Sequence, residues 1–174
     1  MDIRRLPGLT IAKLAVGPMN NNAYLLRCTS TDEGLLIDAA NEAARLRELV
    51  AFEGPAVSAI LTTHRHGDHR QALAETVEFA GAALYAAADA DELPVAALYR
   101  DPEGVPHLFT GDSLFPGDVG KTWAPEDFVS LIDDVEARIF GELPDETWFY
   151  PGHGSDSTLG VERPHVAEWR ARGW

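Results

Sequence analysis

Three histidines and an aspartate stand within six residues, in the run Thr63-His64-Arg65-His66-Gly67-Asp68-His69, although the whole chain has only six histidines. Imidazole nitrogens and carboxylate oxygens are what a borderline-soft divalent ion such as zinc takes as ligands. Just upstream, Val57-Ser58-Ala59-Ile60-Leu61-Thr62 is apolar and β-prone, and reads as a buried strand. A cluster at the end of such a strand is held accurately, whereas a solvated polar loop does not concentrate histidine. Two further segments have the same form. Phe109-Thr110-Gly111-Asp112-Ser113-Leu114-Phe115 delivers a carboxylate after an apolar strand, and Tyr150-Pro151-Gly152-His153-Gly154 sets a lone histidine between glycines. Glycine permits the close backbone approach that turns a side chain toward a shared centre. Alone, Asp112 reads as a turn residue as readily as a ligand, and His153 as a surface histidine. Beside the first cluster, both become candidate ligands.

The elements that must position these groups can be read from pattern. Leu9 to Val16, Ala23 to Cys28 and Leu35 to Ala39 are predicted strands, broken at Gly17-Pro18 and between Ser30 and Gly34. Asn41 is placed to cap a helix with Leu46, Leu49 and Val50 on one face, ended by Gly54-Pro55. After the histidine run, a helix from about Arg70 to Phe79 turns Leu73 and Val77 inward, and Gly81 closes it before a strand at Ala83 to Ala86. Ala96 to Tyr99 and Val105 to Thr110 flank the turn Asp101-Pro102-Glu103-Gly104 as a hairpin. The clearest helix is Pro125 to Phe140, with Phe128, Leu131, Ile132, Val135 and Ile139 at helical spacing. Trp148 to Tyr150 is a short strand, and Pro164 opens a last helix bearing Val166 and Trp169. With no repeat, low-complexity tract or linker, residues 1–174 form a single domain of mixed α+β class.

Bulk properties narrow the partners. The 174 residues, 45% hydrophobic and 24% charged, are ordinary for a water-soluble globular domain. No apolar run approaches the ~20 residues that span a bilayer. The N-terminal charges are not followed by the apolar core of a secretory signal. Cys28, the single cysteine, rules out an internal disulfide, fits a reducing cytosol and reads as a small strand residue. A net charge of −14 repels nucleic-acid phosphates and anionic lipid. The expectation is a cytoplasmic protein acting on a small molecule, with neither nucleic acid nor membrane as partner.

Thr63 to His69 resembles the His-x-His-x-Asp-His signature of the metallo-β-lactamase-fold hydrolases. Gly111 to Phe115 is similar to the Gly-Asp-x-Leu-Phe segment of their glyoxalase II-like branch, and Tyr150 to Gly154 to its Pro-Gly-His-Gly segment. Asn21 to Leu26 and Leu36 to Ala39 match the opening strands of that branch, so the resemblance runs in order from about residue 10 onward. It implies an αββα sandwich with a one- or two-metal site at the sheet edge. Carried over by position, His64 and His66 hold a first zinc, Asp68, His69 and His153 hold a second, and Asp112 bridges them; iron or manganese could replace zinc. It also implies hydrolysis of a small ester or thioester by a metal-bound hydroxide, with Asp68 as the catalytic carboxylate that steers it or accepts a proton. Lys121 either meets an anionic substrate or is an ordinary surface lysine, while His107 and His165 lie outside the motifs and read as structural.

One family element is missing. The resemblance calls for a further histidine, in a Gly-His-Thr-Pro-Gly-Ser-like segment, between the first cluster and Asp112. Here only His107 lies in that interval, inside the strand that leads to Asp112. Asp91 to Val95 runs almost directly into Ala96 to Tyr99, as though a strand-bearing segment were absent between Pro94 and Leu98. The expected consequences are a weaker first metal site, reduced turnover, and exposed sheet edges to be covered by a homodimer, a bound partner or a rearranged sheet. Two other functions share these residues. One is a non-catalytic or inactive metal-binding member of the fold. The other is a mono-iron persulfide dioxygenase, whose two-histidine-one-carboxylate centre would need the missing histidine.

Overall fold

A computed structural model of the chain describes residues 1–54, 56–86, 95–102 and 104–174. The first half holds β1 (Asp2–Arg5), β2 (Leu9–Val16), β3 (Asn21–Cys28), β4 (Glu33–Ile37), α1 (Ala43–Ala51), β5 (Ala56–Thr62), α2 (Leu73–Ala80) and β6 (Ala83–Ala86). The second holds β7 (Ala97–Arg100), β8 (Pro106–Gly111), β9 (Leu114–Phe115), β10 (Asp118–Val119), α3 (Pro125–Asp134), β11 (Trp148–Pro151), β12 (Ser157–Thr158), α4 (Leu159–Glu162) and α5 (Val166–Arg172).

Strands β1 to β6 form one sheet in chain order, antiparallel from β1 to β4 and parallel from β4 to β6. The parallel pairs require crossovers, which α1 and α2 supply. The second sheet runs β12-β11-β8-β7, with β8 and β11 parallel. Period-2 alternation sends neighbouring residues to opposite faces. On β4, Leu36 packs with Leu46, Leu49 and Ile60 under α1, while Ile37 packs with Tyr24, Phe109 and Tyr150 between the sheets. On β11, Phe149 joins Ile132, Leu159 and Trp169 beneath the C-terminal helices. Three apolar layers therefore separate helix, sheet, sheet and helix, the αββα arrangement that the motifs imply.

Several boundaries differ from the sequence reading, each for a local reason. Glu42, in a left-handed conformation, occupies the α1 N-cap in place of Asn41. The Asn41 side chain instead accepts from the Glu42 N–H and donates to Gln71. Helix α2 begins at Leu73, three residues later than expected, and the N–H groups of Gln71 and Ala72 just before it donate to the Ala40 and Ala39 carbonyls. The long helix relaxes into a π-type turn over Val135–Phe140, with all five predicted core residues still buried. Helical structure near the C-terminus starts at Leu159, and Pro164 lies in the 3-10 turn joining α4 to α5. Strand β1 carries too few apolar residues to announce itself.

Pro94 lies outside the described residues. Among those described, β6 and β7 each lie at one edge of their sheets, opposite β1 and β12, and Leu84, Tyr85 and Leu98 on them are exposed. Beside them an apolar cleft of about 410 Å³ opens between the sheets, lined by Leu9, Leu26, Leu35, Ala59, Ala97 and Phe109 among others. No described helix is long and apolar enough to cross a membrane.

Candidate metal centre

Every candidate ligand follows a strand end on one edge of the sandwich. His64, His66, Asp68 and His69 follow β5, Asp112 follows β8, and His153 follows β11. The structure brings all six together. His64, His66 and Asp112 can each offer an atom to one point, and Asp68, His69 and His153 to another, with the atoms of each set within 4.8 Å of one another. His69 Nε2 lies 3.2 Å from His153 Nε2 and 3.4 Å from Asp112 Oδ1. Asp68 Oδ2 lies 3.7 Å from both of those histidine nitrogens. Ligands about 2.1 Å from a tetrahedral ion stand roughly 3.4 Å apart, so these separations are those of a coordination shell. Asp112 Oδ2 faces His153 Nε2 at 3.5 Å and His64 Nε2 at 3.8 Å, which places this carboxylate between the two sets.

Hydrogen bonds aim three of the imidazoles. Asp38, buried at the end of β4, accepts from the Thr63 N–H at 2.8 Å, from the Thr63 hydroxyl at 2.7 Å and from His69 Nδ1 at 3.0 Å. Because the Thr63 hydroxyl proton goes to Asp38, His64 Nδ1 donates to Thr63 Oγ1, 2.9 Å away. His153 Nδ1 donates to the Met19 carbonyl at 3.1 Å. Each Nδ1 is thus a hydrogen-bond donor, which leaves Nε2 as the nitrogen that would ligate an ion once it carries no proton. Buried His64 Nε2 and Asp112 Oδ1 have no hydrogen-bond partner among the described residues. A buried polar atom without a partner is costly, and a cation between these groups would satisfy both. The donor set fits a divalent metal.

The electrostatics agree. Burial, reinforced by His69, lowers His64 to about 4, leaving it neutral. Burial opposes a charge on His69, but the Asp112 and Asp38 carboxylates outweigh it and lift the imidazole to about 10. Asp112 raises His153. Burial disfavours the Asp112 anion, yet His153 and His69 hold that carboxyl well below the usual range. Without an ion, protons on imidazole take the place that a cation would fill.

Glycine makes the convergence possible. A Cβ on Gly152 would overlap Asp112 Oδ1 and lie 2.7 Å from His69 Cε1. At Gly111, with φ +52°, a Cβ would stand 2.7 Å from Thr63 Oγ1.

The remaining candidates lie elsewhere. Lys121 is exposed, its ammonium 4.5 Å from the Trp123 ring centre. His107 is buried, its Nδ1 2.8 Å from the Tyr150 hydroxyl, and His165 is exposed beside Glu168. Cys28 closes β3, with Ser30 Oγ 3.1 Å from its sulfur. Asp38, Thr63 and Asn21, which have no role in the sequence reading, orient the candidate ligands. All three lie in segments that carry the family resemblance: Thr63 opens the histidine run, Asp38 ends the apolar run Leu35-Leu36-Ile37, and Asn21 begins the polar pair opening β3.

Residues 16–106, more than half of the chain, match the metallo-beta-lactamase superfamily. The chain belongs to that superfamily. As a metallo-beta-lactamase superfamily member, it is 27% identical over 168 residues to a probable hydroxyacylglutathione hydrolase of Schizosaccharomyces pombe, covering 79% of this chain and 65% of the relative. It is also 27% identical over 164 residues to the hydroxyacylglutathione hydrolase of Polaromonas sp., covering 76% and 62%. The chain thus spans just under two thirds of the length of these curated relatives. Among solved structures, TTHA1623 in a di-iron-bound form is 28% identical, with a TM-score of 0.67 over 87% of this chain and 96% of that one. The B3 metallo-beta-lactamase BLEG-1 shares the fold at 23% identity and a TM-score of 0.73, covering 91% of this chain and 99% of its own. Family and donor set together make this a divalent-metal protein of a hydrolase superfamily.

Proposed function

We propose that the chain is a metallo-hydrolase of the glyoxalase II-like type that cleaves a small thioester or ester. The observation that carries this reading is the convergence of two ligand sets on Asp112, with the Nε2 atoms of His64, His69 and His153 freed by Nδ1 hydrogen bonds. His64, His66 and Asp112 would hold one ion, and Asp68, His69, His153 and Asp112 the other, zinc being the favoured metal. The di-iron form of one relative makes iron the first competitor. An ion in this donor set supplies a water ionised near neutral pH and a Lewis acid for the carbonyl oxygen. The chain's own residues do the rest. Asp38 and Thr63 would keep the imidazoles in the ligating tautomer, and Asp68 would accept a proton from the attacking water. The hydroxyacylglutathione hydrolase names of two relatives favour an acylated thiol as substrate.

Purified protein reconstituted with zinc is expected to release thiol from simple acyl thioesters, with Asp112→Asn slowing turnover at least about a hundredfold. Metal content would be measured on the same samples. Bound metal without turnover on thioesters, lactones and β-lactams would overturn the hydrolase reading. It would support a non-catalytic metal-binding member instead, a reading favoured by one observation. The first set has three protein ligands, and one of them, His66, is exposed.

A further inference from the structure

We propose that Lys13, Asn21 and Asn22 are positioning residues that set the affinity of the second metal site by fastening the His153 loop to the first sheet. The proposal rests on the reading that Asp68, His69 and His153 hold an ion. That site is divided between layers. Asp68 and His69 follow β5 of the first sheet, whereas His153 follows β11 of the second. A metal site tolerates only about 0.5 Å of error in its ligands, so something must register one layer against the other.

The start of β3 does this. Asn22 is 2% exposed, and its amide donates to the Pro151 carbonyl at 2.9 Å and the Gly154 carbonyl at 3.0 Å, on either side of His153. Its backbone N–H donates to the Gly152 carbonyl at 2.7 Å. Lys13 donates to the same Gly154 carbonyl at 2.7 Å and pairs with Asp156 at 2.6 Å. Asn21 forms an isolated antiparallel bridge with His153, and its amide donates at 2.7 Å to Asp68 Oδ2, the oxygen that faces His69 and His153. One short run of polar residues therefore touches the backbone around one ligand and the side chain of another. Among the described residues, no hydrogen bond joins Lys13 or Asn22 to His64, His66 or Asp112. The two sites should respond differently when this latch is cut.

The test is titration of the metal-free full chain with Co²⁺ alone, followed by its visible absorption bands, which report coordination. Wild type is expected to fill in two phases, one of which His153→Ala abolishes. Asn22→Ala and Lys13→Met should weaken that same phase about 10–100-fold, the range for outer-shell partners of metal ligands. The other phase should keep its wild-type midpoint, and Lys13→Arg should restore the weakened phase. The Lys13 side chain bonds only through its terminal ammonium, so Lys13→Met keeps the test open if Asn22→Ala fails to fold. Folded variants that titrate like wild type, or that lose both phases equally, would overturn the latch. If His153→Ala itself leaves the cobalt spectrum unchanged, the metal reading falls as well, and that arm identifies which of the two has failed.

Discussion

His69 donates Nδ1 to Asp38 and turns Nε2 toward His153 and Asp112, and the proton it carries there has a measurable consequence. Lifted to about 10, His69 is protonated at neutral pH, and Asp112 raises His153 as well. Ligation requires both imidazoles to be neutral, so metal uptake at pH 7 must release protons. Calorimetric zinc titrations in buffers of different ionisation enthalpy should show release of about one proton or more per chain. A buffer-independent heat would mean that these histidines do not ligate. His107 behaves in the opposite sense. Burial, and then the nearby Arg4 charge, lower it below its ordinary value of 6.5, while Asp101 opposes them weakly. The unfolded chain then binds the proton more readily, so the stability tied to neutral His107 is complete above about pH 6.5. It is lost as pH falls toward the lowered folded value. Urea unfolding of chelator-treated protein between pH 7 and pH 5 should lose stability less steeply in His107→Gln than in wild type.

Among the elements, the strand-end loops decide the site, and glycine decides the loops. The Gly152 N–H donates to the Gly111 carbonyl at 2.8 Å, which ties the loop after β11 to the loop after β8. Only hydrogen fits at the Gly152 α-carbon on the side facing Asp112 and His69. Gly152→Ala is therefore expected to cost about 1–3 kcal/mol of stability by overpacking. It should also lose metal on gel filtration, which metal analysis of the eluted protein would reveal. These loops also explain what the sequence disclosed. His64, His66, Asp68 and His69 are legible because they are ligand types crowded after an apolar strand, Asp112 because a glycine precedes it at a strand end, and His153 because glycines flank it. The core faces of α1 and α3 were legible from helical spacing at Leu46, Leu49, Phe128, Leu131 and Ile132. Asp38 and Asn22 were not, since their roles depend on partners 25 to 132 residues away that no local pattern reports. The docking of the segment before α2 on the first sheet, through the Gln71 and Ala72 N–H groups, was not legible either, because its partner carbonyls at Ala40 and Ala39 are remote in sequence.

At the scale of the whole molecule, the centre is the place where two sheets meet, so occupancy and global stability are linked. An ion that binds only the folded chain stabilises it by about 4 kcal/mol at a thousand times its dissociation constant. Adding zinc should raise the melting temperature and excess chelator should lower it, as scanning calorimetry would record. The same geometry orders events in time. His69 and His153 are 84 residues apart, and Asn22 and Gly154 are 132 apart. A nascent or refolding chain can chelate an ion locally with His64 and His66, but the second shell cannot exist until the first strands have docked on the last. Metal is therefore expected to act mainly as a brake on unfolding and to contribute little speed to folding, the behaviour of contacts that form late. In stopped-flow measurements, zinc should slow the unfolding limb and leave the refolding limb nearly unchanged.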